Sequence, residues 1–367
     1  MNALLPPPPA QTAVTPDGLA PLAGPAGPRE TTAPAVPLVE LIQVSKRFGR
    51  KPDLATRLVG LLGGKPPLDT VHALDRVDLK VMAGEVVGLV GESGCGKSTL
   101  GRVVAGIHGP SEGDLLYRGG NVGNLAGDRK RDFVRQVQMV FQDPYASLNP
   151  RMRIGEQISE APVVHGLVKA AQADEYAATM LERVGLDPSL RRRFPHQFSG
   201  GQRQRICIAR ALAVDPVFLV ADEAVASLDV SIQAQILNLF LDLKESLGLT
   251  YLFISHDLGV VRFVSDRIVI MYLGRIVETA PTDALFAAPN HPYTRALVGE
   301  IPALDGRRRA FAPIRGEIPS PLDPPAGCHF HPRCPHAMAR CRSEAPALRP
   351  VAGGHLSACH LNDGGGA

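Results

Sequence analysis

The chain contains no tryptophan, and its aromatic residues together make up only 5% of 367 positions. So few rings leave little on which exposed bases could stack, which argues against an RNA-binding surface. An excess of one charge is also lacking: 39 basic against 36 acidic residues give a formal net charge of +3. That balance supplies no field to draw in nucleic acid. The two arginine runs, Arg191–Arg193 and Arg307–Arg309, read as a solvated face or a linker. No apolar run reaches the roughly 20 residues that a bilayer-spanning helix needs. Any membrane connection is therefore expected to come through partners. The opening residues, MNALLPPPPAQTAV, have neither the basic start nor the continuous apolar segment of a secretory signal. A reducing compartment is expected, and disulfides are disfavoured there.

Proline, alanine and glycine dominate residues 1–37, which cannot bury enough surface to offset chain entropy and read as a disordered extension. Ordered sequence begins with the alternating run PLVELIQVSKRF. An insertion at about 50–70, rich in Gly and Pro, follows it, and VHALDRVDLKV resumes the alternation. GEVVGLVG is a short continuous apolar run, as expected for a strand covered on both faces. VQMVFQ, VFLVAD, YLFIS and RIVIMY then alternate with helical patterns, which predicts an α/β fold with a mainly parallel sheet. Between about 144 and 198 the strand signal disappears and an all-helical subdomain is expected. The principal domain spans 38–288 on this reading. Residues 289–367, rich in Pro, Arg, Cys and His, form a separate, irregular C-terminal region.

The sequence GESGCGKST places Gly91, Ser93, Gly94, Gly96, Lys97, Ser98 and Thr99 between an apolar strand and a helical run. This is the G-x-x-x-x-G-K-[ST] pattern in its required context. The glycines let backbone N–H groups curl around phosphate oxygens, and the helix presents its positive end. Lys97 is expected to reach the β- and γ-phosphates of ATP and Ser98 to ligate Mg²⁺. Cys95 occupies a variable position without a role. VFLVADE ends a buried strand in two acids: Asp222 is placed to hold Mg²⁺ and Glu223 to deprotonate or orient an attacking water. FSGGQRQR supplies a second glycine-led helix start, which makes sense if it closes over a nucleotide held by another subunit.

With these motifs in this order the chain resembles the ATP-binding cassette (ABC) ATPases. The resemblance implies a P-loop cassette: a mainly parallel sheet, an antiparallel β subdomain and an all-helical subdomain. It implies that Ser199, Gly200, Gly201 and Gln202 form the signature that acts on a partner's ATP, with Phe198 where leucine is usual. It also implies Gln142 as the Q-loop residue near Mg²⁺, Asp229 in the D-loop, and His256 as the switch histidine at the γ-phosphate. Phe48 is the candidate for stacking on adenine, although a plain core phenylalanine is the competing reading. Two cassettes would pair head to tail, each ATP lying between one P-loop and the other signature. VFQDPYASLNPRM, ADEAVASLDVSIQAQILNL and NHPYTRALVGEIP narrow the resemblance to the ATP-binding subunits of bacterial dipeptide, oligopeptide and nickel importers, nearest the second ATPase of such systems. Implied partners are a paralogous ATPase, two transmembrane permeases and an extracytoplasmic substrate-binding protein, with no nucleic acid. The implied location is the cytoplasmic face of the inner membrane, as a peripheral subunit. Peptide is the expected cargo and nickel or another small solute the alternative. A soluble ABC ATPase of translation or repair would carry two cassettes or a long coiled coil. A non-enzymatic cassette would lack Glu223, His256 or the signature glycines.

Six cysteines remain to be placed. Cys207 falls on an apolar helix face and reads as core. Cys328, Cys334, Cys341 and Cys359 concentrate in the C-terminal region, without the tight C-x₂₋₄-C pairs of structural zinc sites. Four thiols in a wrapping segment fit a Cys₄ iron–sulfur cluster. Zinc, with histidines such as His329 or His331 supplementing the thiolates, and no metal at all are the other readings. The resemblance to peptide importers implies a [4Fe–4S] cluster on these four residues.

Overall fold

The computed structural model describes residues 36–49, 70–301, 314 and 316–364. The extension up to residue 35, the insertion at 50–69 and the arginine run at 307–309 lie outside the described residues. Numbered in chain order, the first strands are β1 (Val39–Gly49), β2 (Thr70–Val81) and β3 (Val86–Val90). They are followed by β4 (Glu112–Tyr117) and β5 (Gly120–Asn121). Strands β2, β1, β4 and β5, in that order, form an antiparallel sheet. Breaks in the β1–β2 register lie near Gln43 and Arg76, both with φ of 48°, the left-handed backbone that a bulge imposes.

The larger sheet runs β11-β12-β10-β9-β3-β8-β7-β6. Its members after β3 are β6 (Val137–Val140), β7 (Phe218–Asp222), β8 (Thr250–Ser255), β9 (Arg267–Tyr272) and β10 (Arg275–Pro281). The last two are β11 (Arg349–Ala352) and β12 (His355–Ser357). From β9 to β6 every pairing is parallel, as the unbroken apolar runs predict. The pleat explains why these strands need apolar residues throughout. Val87, Leu89, Val220, Leu252, Ile254 and Val269 face a core shared with β1, β2 and β4. Their neighbours Val86, Val90, Leu219, Ala221, Tyr251 and Phe253 face a second core, shared with the helices.

Helices α1 (Lys97–Val104), α2 (Gly127–Gln136), α6 (Gly200–Leu212), α7 (Val230–Leu247) and α8 (Leu258–Val264) lie between strands of this sheet along the chain. Between β6 and α6 come α3 (Pro144–Ser147), α4 (Ile154–Val164) and α5 (Ala173–Arg183), with no strand among them. Beyond β10 lie α9 (Thr282–Ala287), α10 (Pro292–Gly299) and α11 (Ala339–Ser343). The C-terminal segment, expected to be irregular, is partly ordered into the main sheet: Leu356 and Ser357 of β12 pair with Thr279 and Glu278 of β10, and β11 pairs outside β12. Strands of three and four residues are too short to show a period of two in sequence. Among the described residues no helix is long and apolar enough to cross a membrane.

Candidate active site

Strand β3 ends at Val90 and α1 begins at Lys97, so Gly91–Gly96 form the turn between them. Two glycines are required by geometry. Gly96 has φ of 110°, and a Cβ there would stand 2.3 Å from the Ala73 carbonyl oxygen. A Cβ on Gly91 would stand 2.2 Å from that of Met271. Gly94 also has a positive φ, of 79°, while Ser93 and Gly94 are exposed at the tip. Lys97 is 4% exposed, and its Nζ donates to the carbonyls of Gly91 at 2.7 Å and Glu92 at 3.0 Å. Cys95 is buried behind the loop, where burial pushes its thiol up to about 11.

Strand β7 delivers the acids. Ser98 Oγ donates to Asp222 Oδ1 at 2.8 Å. Burial raises the Asp222 pKa, and the Ser98 hydrogen bond opposes that shift. Glu223 follows with φ of 48°, a left-handed conformation for a non-glycine residue. Its Oε2 accepts from Gln142 Nε2 at 2.7 Å, and its Oε1 lies 3.5 Å from His256 Nδ1. Lys97, Ser98, Gln142, Asp222, Glu223 and His256 thus converge at the carboxyl ends of β3, β6, β7 and β8. That end of an open parallel sheet is where ligands bind. Thr99 follows in the first turn of α1.

The other predicted residues sit elsewhere. Ser199 caps α6: its Oγ accepts from Gln202 N at 3.3 Å, and Gln202 Oε1 accepts from Ser199 N at 3.0 Å. Gly201 is held against α7, where an added Cβ would lie 2.5 Å from Ile232 Cγ2, and the nearest atom to one on Gly200 is Leu228 Cδ2 at 3.7 Å. Among the described residues no hydrogen bond joins this signature to the Gly91–Lys97 turn. Asp229 is exposed and stands at the N-terminal end of α7 without a capping hydrogen bond from its side chain. The Phe48 ring, 39% exposed, has the Lys46 ammonium 5.2 Å from its centroid and His108 edge-on at 5.5 Å.

Cys207 is buried on α6, as expected of a core residue. Cys328, Cys334, Cys341 and Cys359 come near one another. Cys328 N donates to the Cys341 carbonyl at 2.9 Å. Burial pushes the Cys328 thiol up to about 11, and the thiols of Cys341, Cys359 and Cys334 add to the shift. Burial likewise raises Cys334 and Cys359. Yet among the described residues no group of three or more His, Cys, Asp or Glu side chains is gathered closely enough to hold a metal ion. The sequence reading overlooked Glu92, Tyr293 and Arg333. Glu92 N donates to Tyr293 Oη at 2.9 Å, and Arg333 pairs with the Glu92 carboxylate at 2.6 Å.

The ABC transporter family model matches residues 74–226, and that of the oligopeptide/dipeptide transporter C-terminal region matches residues 277–341. A probable peptide ABC transporter ATP-binding protein, y4tS, from Sinorhizobium fredii is 49% identical over 298 residues, covering 81% of this chain and 84% of its own. The oligopeptide transport ATP-binding protein AppF of Bacillus subtilis is 46% identical over 335 residues, 90% of this chain and 99% of its own. Among solved structures, the dimeric ATP-binding cassette MJ0796, in a post-hydrolysis state with ADP and Pi, superposes with a TM-score of 0.55 at 27% identity. That match covers 66% of this chain and 98% of that one. A cassette fold with its site at the strand ends, a C-terminal region of the oligopeptide type and near-half identity across most of the chain give one answer: the chain belongs to the ABC-transporter ATP-binding family, in its oligopeptide/dipeptide branch.

Proposed function

We propose that the chain is the ATP-hydrolysing subunit that powers peptide import through membrane permeases. The observation that carries this reading is the Glu223 carboxylate, held between Gln142 and His256 one residue beyond the Ser98–Asp222 pair. ATP binds with its phosphates on the Gly91–Thr99 turn, including Ser93, Gly94 and Gly96, where Lys97 exchanges its two carbonyl partners for phosphate oxygens. Phe48 stacks on the adenine. Mg²⁺, held by Ser98, Gln142 and Asp222, would neutralise charge on the phosphates. Glu223 accepts a proton from water as that oxygen attacks the γ-phosphorus, and the bond to the bridging oxygen breaks to leave ADP. His256 steadies the γ-phosphate. Ser199, Gly200, Gly201 and Gln202, with Asp229 beside them, act on the ATP of a second cassette, a paralogous ATPase. The exposure of Ser199 at α6's start supports this, because among the described residues no hydrogen bond joins these groups to the Gly91–Lys97 turn of their own chain.

A groove of about 550 Å³ lined by Phe141, Gln157, Val164 and Arg210 adjoins the Q-loop. Val164 is 77% exposed and Ile107, also lining it, 49%. This groove suits the apolar coupling segment of a permease, which supports a peripheral position at the cytoplasmic face of the membrane. Peptide is favoured over nickel by the peptide-transport names of the relatives. A substrate-binding protein outside the membrane would select the cargo. The four thiols of Cys328, Cys334, Cys341 and Cys359 are the donor set of a [4Fe–4S] cluster, with zinc the alternative, although among the described residues these side chains are not gathered closely enough to hold a metal ion. Iron content and broad visible absorbance of anaerobically purified protein test it; a colourless protein with stoichiometric zinc overturns it. Peptide uptake by the assembled complex in vesicles, driven by ATP and lost with Lys97→Met, tests the main reading. Uptake that persists in that variant overturns it.

A further inference from the structure

The turn that binds phosphate is braced from behind by the C-terminal region. Glu92, the second residue of that turn, is held at three points. Its N–H donates to Tyr293 Oη at 2.9 Å. Its carbonyl accepts from Lys97 Nζ at 3.0 Å. Its carboxylate takes both ends of the Arg333 guanidinium, at 2.6 and 3.0 Å. The Arg333 side chain is only 6% exposed, and Glu92's is 22%. Arg333 also reaches Tyr272 Oη at 3.4 Å, leaving only its Nε buried without a partner. Tyr272, Tyr293 and Phe330 pack ring against ring behind it, at centroid distances of 4.9 to 5.4 Å. The short turn that carries Arg333, His331–Arg333, is itself anchored to the β9–β10 corner. Nearby His329 Nδ1 lies 2.8 Å from the Leu273 carbonyl, and Arg275 donates to the Gly327 carbonyl at 2.8 Å.

A carboxylate on the loop that receives a polyphosphate repels its ligand unless it is neutralised. A bidentate arginine with so little of its side chain exposed both cancels that charge and fixes the direction of the carboxylate, as a lysine's single point charge does not. The pair spans 241 residues, so it joins the last region of the chain to the first phosphate-binding turn.

We propose that Arg333 is a positioning residue for the ATP site: its guanidinium neutralises and orients Glu92, and so holds the phosphate-binding turn ready for nucleotide. Arg333 touches no substrate and acts through Glu92 alone. The inference rests on ATP binding at this turn.

The test is a two-by-two set of variants on the full chain, Arg333→Met and Glu92→Gln, singly and together. Affinity for Mg·ATP is measured by calorimetry, and steady-state kinetics are measured in the assembled complex. Arg333→Met should weaken ATP by about tenfold, the scale of one charge-assisted pair. The double variant should recover to within about threefold of the wild type, because the unpaired carboxylate has gone. KM should rise with Kd while kcat stays within about twofold, since Glu223 and His256 stand on other strands. Arg333→Lys should fall between wild type and Arg333→Met. A folded Arg333→Met with wild-type affinity, a double variant as weak as the single one, or a loss confined to kcat would each overturn the proposal. Should Arg333→Met fail to fold, Arg333→Lys and Glu92→Gln decide: weaker binding in the first without weakening in the second supports it, and any other pattern overturns it. Wild-type protein that binds ATP no better than Lys97→Met would instead overturn the ATP reading on which the proposal stands.

Discussion

Two glycine-bearing helix starts of this molecule, the Gly91–Gly96 turn before α1 and Gly200–Gly201 in α6, are held in opposite ways. The turn before α1 is enclosed: Lys97 is buried, Gly96 abuts the Ala73 carbonyl, and the β9–β10 corner closes its back. The start of α6 satisfies its own N–H groups with Ser199 and Gln202, and its glycines serve approach by Ile232 and Leu228 of the neighbouring segment. The same glycine chemistry therefore makes an enclosed socket in one place and an exposed plate in the other, and on the function proposed above that plate would face the ATP of a second cassette. In the first, glycine is demanded by backbone angle; in the second, by the thickness of a side chain.

The largest effect expected to sharpen this contrast lies at Glu223. Glu223→Gln should keep ATP affinity and lose about 10²- to 10⁴-fold in turnover, the range for a general base. Near-normal hydrolysis of ATP by the assembled variant would remove Glu223 from its role. At the two glycine turns, Gly96→Ala forces a Cβ into the Ala73 carbonyl at a φ of 110°. It should cost about 1–3 kcal/mol of strain and abolish ATP binding by the isolated chain. Gly201→Ala should leave that binding intact, because only Ile232 must yield, and reduce turnover of the complex by about tenfold. Equal loss of ATP binding in both variants would erase the distinction between socket and plate.

Acid should loosen the socket side. His291 caps α10, its Nδ1 accepting from Tyr293 N at 3.1 Å, and burial lowers its pKa to about 3. The unfolded chain takes up a proton below about pH 6.5 whereas the folded chain does not until about pH 3. The stabilisation is therefore complete above pH 6.5 and declines below it, by about 1.4 kcal/mol per pH unit. Melting temperatures at pH 7 and pH 5 should differ less in His291→Asn, which keeps an acceptor and does not titrate; an unchanged difference would clear His291 of the effect. The smallest change is at the plate: Ser199→Ala removes one cap and should cost about 1 kcal/mol in chemical denaturation. No measurable loss there would mean that Gln202 holds the turn alone.

Much of the socket was legible in sequence because its chemistry is local. Gly91–Thr99 and the Asp222–Glu223 pair each sit beside an apolar strand, and the strand sets where they point. Gln142 and His256 needed the family resemblance, since a lone Gln or His at a strand end carries no distinguishing pattern. Arg333 and Tyr293 were not legible: their partner Glu92 lies two hundred or more residues away, and the stretches around them, NHPYTRALVGEIP included, carry no signal of that contact. The short strands β11 and β12 escaped notice for a different reason. Their order comes from pairing with β10, and Pro350 and the glycines at 353 and 354 read as a loop. The reverse held for the cysteines, whose clustering in sequence is plain while their side chains stop short of a ligand arrangement.

The hairpin of β11 and β12 also covers one margin of the main sheet. Without it, β10 would lose the pairing of Glu278 and Thr279 with Ser357 and Leu356, and its outward-facing amides and carbonyls would form a template for an extended chain. With it, the outermost described strand is β11, four exposed residues long and interrupted by a proline that has no amide to offer. Chains ending before Arg349 would therefore bear an open, longer sheet margin and should associate through it. Strands β11 and β12 act as a selvedge, finishing this margin of the sheet with a short, proline-interrupted strand.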